Sequence, residues 1–312
     1  MPSGARIGRA RAVGLCALGT VAFIGCPDLA RANDLDDSAP NSASAVPNLY
    51  LDLRTSYSTV PANTLSIGFS SPSLSSAFAT LQRLAPVTGA PLLPALSPLS
   101  SPSSQSVGID VPLTMDLNDR ISAYGGFSAS ASQSGLSGWS TLAITSWNLG
   151  FQADLYQQNG GSIPTITLQT TVTRAVPDQP LATTSLNNLV ELDYALDEDE
   201  TRGWLAGVQY TRVTIDPPLA RIKDNVIGYV GAYYQWPSNW KLSGRVGVQS
   251  FGGAQLLALT PIQPFTQPIV RIDLDRNDDN DNRLFGVSAQ IAWTPKPAYQ
   301  LTVRTPLYAV RH

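Results

Sequence analysis

Ten charged residues recur at positions where every second neighbour is apolar: Asp52, Arg54, Asp110, Asp116, Asp154, Glu191, Asp193, Lys241, Arg245 and Arg304. Alternation of this kind puts a side chain on the polar face of a β-strand. Because both signs are present, such a face either lines an aqueous path whose charge balance sets selectivity, or closes on itself as a network of salt bridges and hydrogen bonds. A second group, Asp273, Asp275, Asn277 and Asp279, continued by Asp281, offers oxygen atoms on alternate residues as a calcium loop does. Asp278 stands where such a loop needs glycine, and Leu284 or Gly286 where its closing glutamate belongs, so a solvated polar turn is the stronger reading and no metal is assigned. Asp197, Glu198, Asp199 and Glu200 also read as a solvated turn. The single histidine is His312, which leaves Ser-His and Cys-His catalysis, histidine acid-base work and His-ligated metals without their residue. The pair Glu191 and Asp193 is the remaining acid-base candidate, and the chain reads as a protein without catalysis or cofactor.

The elements that carry these residues are strands. The chain of 312 residues is only 14% charged, yet its mean hydropathy is −0.01; Ser, Thr, Asn and Gln, with 24 Gly and 24 Pro, take the place of charge. That is the composition of strands and turns. Val107, Ile109, Val111, Leu113, Met115 and Leu117 oppose Ser106, Gly108, Asp110, Thr114 and Asp116; Thr141 to Leu155 repeat the scheme against Ser146, Asn148, Gln152 and Asp154. Short polar breaks centre on Asp119, Gly160, Asp199, Ser238 and Asp279, spaced 41, 39, 39 and 41 residues apart, with longer Pro- and Gly-rich breaks between them. Each period holds two long strands, where a propeller blade would need four. This is the pattern of an all-β, antiparallel, up-and-down transmembrane β-barrel with tight turns at one end and longer loops at the other.

Residues 105–310 supply eleven strands, so closure with an even number requires an odd number before them. The candidates are 48–57 and 64–70. About 12 strands is the expected number, with 14 as the alternative, and 75–85 could form a short helix. Trp139, Tyr156, Trp204, Trp236, Trp240, Trp293 and Tyr299 fall at segment ends, where an interfacial girdle would sit. Leu142, Ile144, Leu189 and Leu205 are expected on inner faces, where they offer an apolar cargo path.

Arg6, Arg9 and Arg11, the apolar run 12–25, Pro27 and the small residues Ala30 and Ala32 form the pattern of an export signal cleaved after Ala32. The run is shorter than the ~20 residues of a membrane anchor. Phe23-Ile24-Gly25-Cys26 resembles a lipoprotein box and is the competing processing site. Both cysteines, Cys16 and Cys26, lie within the segment. Its removal takes four of the 20 basic residues and one of the 23 acidic ones and leaves a net charge of −6, without a basic cluster to bind nucleic acid. The expected layout is a signal peptide at 1–32, a flexible segment at 33–47 and a barrel domain at 48–312 with a Pro/Ser-rich insertion at 72–104.

Leu117-Asn118-Asp119-Arg120 followed by Gly125-Gly126, Ile163-Pro164-Thr165-Ile166-Thr167-Leu168 after Gly160-Gly161, and Leu301-Thr302-Val303-Arg304-Thr305-Pro306-Leu307-Tyr308 resemble a Gram-negative outer-membrane family of transporters assigned to the meta-pathway of phenol degradation. The resemblance implies a barrel that moves small hydrophobic molecules across the outer membrane. One departure is the end of the chain, Tyr308-Ala309-Val310-Arg311-His312, where such barrels usually finish on an aromatic that the assembly machinery recognises; Tyr308 is then the expected signal. The expected function is a passive channel for small, aromatic or hydrophobic solutes. Its expected partners are outer-membrane lipid, lipopolysaccharide, the assembly machinery and the solute. The alternative is a structural or adhesive barrel that works through its loops, of which the apolar stretch 254–259 is one.

Overall fold

The computed structural model describes residues 47–61, 103–135, 138–158, 160–176, 182–216, 220–256, 264–278, 283–293 and 296–310. Twelve long antiparallel strands close into a barrel: β1 (Asn48–Val60), β2 (Ser104–Asn118), β3 (Ile121–Ser134), β4 (Ala143–Tyr156), β5 (Thr165–Ala175), β6 (Ala182–Ala195), β7 (Arg202–Asp216), β9 (Asn225–Gln235), β10 (Trp240–Phe251), β12 (Phe265–Asn277), β13 (Arg283–Trp293) and β14 (Pro297–Val310). Among the described residues one strand, β1, precedes β2 in the closed ring of twelve, and the strand and helix expected at 64–70 and 75–85 lie outside the described residues. Each strand pairs with its neighbours in sequence, and β1 pairs with β14 to close the ring. Two short strands, β8 (Ala220–Ile222) and β11 (Ala254–Leu256), pair with each other beside the barrel and draw two long loops together.

The hairpin ends differ as the turn spacing predicts. At one end, Asn118 accepts hydrogen bonds from the backbone N–H groups of Arg120 (2.9 Å) and Ile121 (2.8 Å), which closes the β2–β3 turn as an Asx turn. Asn239, at φ 61°, turns the β9–β10 hairpin in the left-handed region that Asn tolerates better than most residues. Both barrel termini, Asn48 and Val310, lie at this turn end; the connection from β1 to β2 is at the other, the loop end.

Alternation decides what faces where. Leu149, Leu155, Val208, Val230, Val246, Val248, Ile272 and Leu301 stand on the outer face and are exposed, whereas Ser128, Asn148, Thr171, Asn187, Gln209, Gln249 and Gln267 stand on the inner face and are buried. This inverts a soluble protein, and it is what a barrel in lipid requires. Tyr194 stacks on Trp204 with ring centroids 5.4 Å apart, and Tyr234 meets Trp236 edge-on at 5.4 Å, both near the turn end. Trp139, Trp293 and Tyr299 are exposed at the other end, so both rims of the apolar band carry aromatics.

One expected inner face is corrected. Ser128 pairs with Ser146 but Ala129 pairs with Ile144, so a bulge at Thr145 shifts the phase of β4. Ile144 consequently turns outward and is exposed, as is Leu142 before the strand; Leu189 and Leu205 do face inward.

Candidate functional site

The inner wall is divided along the barrel axis. Among the described residues it carries no charge toward the loop end: the Gln267 side chain donates to Gln249 (2.6 Å) and Gln249 donates to Asn225 (2.7 Å), forming an amide ladder across β12, β10 and β9. Thr211 donates to Asn187 at 2.8 Å on the neighbouring strands. Cross-strand polar pairs of this sort are the sheet's own stabilising unit, and here they also remove the amides from the bore.

From mid-barrel toward the turn end the wall is charged, and Asp273 is its hub. Its carboxylate meets Arg271 at 2.7 Å, Arg245 at 3.0 Å and Arg304 at 3.6 Å, and accepts from the Ser288 hydroxyl at 2.5 Å. Arg245 reaches across to Glu191 (3.2 Å), which also accepts the Tyr229 hydroxyl. Arg283 pairs with Asp275 at 3.0 Å, and Arg54 pairs with Asp52 at 3.6 Å. Lys241 lies 4.3 Å from the centre of the Tyr233 ring, a cation–π contact. The belt thus spans β1, β6, β10, β12, β13 and β14, and no charge in it faces lipid, where each arginine or lysine would cost about 2–4 kcal/mol near the midplane.

Of the residues anticipated from sequence, Asp52, Arg54, Glu191, Asp193, Lys241, Arg245 and Arg304 all fall on this inner face, and Asp110 joins them on β2. Asp116 is half-buried near the turn end of β2. Asp154, further round on β4, accepts hydrogen bonds from Thr167 (2.8 Å) and Gln157 (3.4 Å) outside the arginine network. The calcium-loop candidates are corrected: Asp273 and Asp275 are on the inner face of β12, with arginines as their partners, and Asn277 ends the strand. Asp279 lies outside the described residues, and no cluster of metal-ligating residues occurs among the described ones.

Sequence reasoning missed Arg271, Arg283 and three inner tyrosines. Tyr124, Tyr229 and Tyr233 each lie over the glycine that is their register partner on the adjacent strand, Gly150, Gly207 and Gly203 respectively. A missing side chain opens a recess in the wall, and the ring fills it without narrowing the bore as a second large side chain would. An apolar inner patch of Ile227, Tyr229, Ile269 and Ala292, with Leu189 against it, sits beside the charged belt.

No protein-family model matches the chain, and no curated protein matches it. Among solved structures, an outer-membrane channel from Pseudomonas putida F1 is similar over 87% of this chain and 100% of its own, at 11% identity and a TM-score of 0.53. The fold is that of an outer-membrane barrel. The translocator domain of the autotransporter NalP from Neisseria meningitidis also aligns, over 87% of this chain and 90% of its own, at 11% identity and a TM-score of 0.43.

Proposed function

We propose that this protein is a channel of the bacterial outer membrane through which small solutes, aromatic and hydrophobic ones among them, pass passively. The observation that carries the reading is the inner wall, where charges of both signs and an apolar patch line the interior of a barrel whose outer face is apolar. The Pseudomonas putida F1 structure, itself an outer-membrane channel, supports it by likeness of fold. Leu189, only partly buried, offers an apolar solute a surface beside the closed cluster of Ile227, Tyr229 and Ile269, and the belt offers a polar one hydrogen bonds. The reading includes no catalysis, cofactor or energy coupling. It does include export with cleavage after Ala32, contact with lipopolysaccharide and insertion by the outer-membrane assembly machinery. Uptake of small aromatic compounds by a deletion strain and by the same strain carrying the gene tests it: slower uptake restored by complementation supports the channel, and equal uptake overturns it.

A second reading, a structural or adhesive barrel working through its loops, is favoured by the amide ladder, since Gln249 and Gln267 are at most 1% exposed. The pairing of β8 with β11 gives that reading a loop surface to work with.

A further inference from the structure

Resting on the channel reading, the geometry points to a subsite for zwitterionic solutes, compact molecules that carry a carboxylate beside an ammonium group, at Arg54 and Asp110. The two are register partners on β1 and β2, both on the inner face, and are 7% and 2% exposed. Neither oxygen of Asp110 has a hydrogen-bond partner of good geometry; the Ser128 hydroxyl, its register neighbour on β3, interacts with it only loosely. Arg54 spends one nitrogen on Asp52, at 3.6 Å, and its Nε and Nη1 donate to nothing. On the other side of Arg54, also in register, stands Arg304, so the row across three strands reads Asp110, Arg54, Arg304: one acid, then two bases.

At the hub of the belt charges are consumed by one another, as Asp273 is by three arginines. Here a buried carboxylate and a buried guanidinium stand side by side with hydrogen-bonding capacity to spare, which is costly unless something supplies the missing partners. A lone anion would satisfy the arginines and repel Asp110; a lone cation would do the reverse. A neutral amide has no charge to set against either. A zwitterion answers both at once, its carboxylate toward Arg54 and Arg304 and its ammonium toward Asp110, and so enters the row without leaving a charge uncompensated.

Tracer entry into proteoliposomes holding the purified full chain tests the subsite, with glycine as the zwitterion and acetamide as the neutral molecule of similar size. Wild-type protein is expected to admit glycine at least threefold faster than acetamide. Asp110→Asn and Arg54→Gln are each expected to abolish that preference, bringing the glycine-to-acetamide ratio down to parity. The exchanged pair Asp110→Arg with Arg54→Asp is expected to recover it, because a zwitterion binds in either orientation, and heat-modifiable migration on gels verifies that each variant is folded. Equal entry of glycine and acetamide into wild-type vesicles, or a glycine preference that survives Asp110→Asn in folded protein, overturns the subsite and leaves the channel standing. Entry of neither solute overturns both.

Discussion

Asp273 of β12 and Arg245 of β10 meet at 3.0 Å inside the barrel, two strand positions out of register, because the strands tilt and the side chains lean along the wall toward each other. Arg245 pairs in register with Arg271, and the two like charges are held together by Asp273, which binds both.

Removing that carboxylate should therefore be severe. Asp273→Ala leaves Arg245, Arg271 and Arg304 facing one another without their common acceptor, and breaking a buried ion pair by deleting one partner costs about 3–5 kcal/mol. Urea unfolding of the detergent-solubilised protein should show a loss of that order. A loss below about 1 kcal/mol would mean that the belt is wet enough to screen the arginines.

Tyr229 and Gly207 give a second test. A Cβ at Gly207 would meet only the ring and hydroxyl of Tyr229, whereas at Gly150 and Gly203 it would also meet backbone. Gly207→Ala should cost about 1–3 kcal/mol by overpacking, and most of that cost should vanish in a Tyr229→Ala background. An additive double-mutant cycle would show that the ring does not occupy the recess.

Much of this barrel is legible in the amino-acid chain alone, because strand number follows from turn spacing and facing follows from alternation. The turns near Asp119, Gly160, Asp199, Ser238 and Asp279 count the strands, and the inner charges at Arg54, Glu191 and Arg245 are readable from neighbours such as Leu53, Val190 and Val246. Ile144 escapes because a bulge changes phase without changing composition. The spacing of Asp273 and Asp275 suggests a metal loop, although Val270, Ile272 and Leu274 around them carry the outward face of a strand. The amide ladder and the tyrosine–glycine pairs join residues about 20 or more apart in sequence, and nothing local in the chain announces them.

The phase of β4 can be read directly. A fluorescent label on Ile144→Cys should be quenched by brominated lipid, whereas a label on Leu205→Cys, an inner-face position, should not. Protection at position 144 would restore the unbulged register.

Asp197, in the β6–β7 turn, is held below the usual carboxylate range chiefly by the Thr201 hydroxyl, which donates to it at 2.5 Å, and further by the backbone N–H of Arg202. A depressed carboxyl contributes stability above its unfolded value, about 3.9, and that contribution is lost as pH falls through the folded value. Carboxyl-carbon NMR should find Asp197 titrating low in the wild type and moving up toward about 3.9 in Thr201→Val. An unchanged titration would remove the hydroxyl as the cause.

The central claim, that a charge-balanced wall lines a conducting lumen, is tested most directly by the reversal potential of the purified protein in a planar bilayer under a KCl gradient. Discrete current steps are expected, with weak selectivity in the wild type. The Lys241→Ala, Arg245→Ala double variant should shift toward cations, because Glu191 then loses Arg245 and Asp193 loses the nearby Lys241, which tips the wall further toward its carboxylates. Absence of current steps, or the same reversal potential in wild type and variant, would contradict the account.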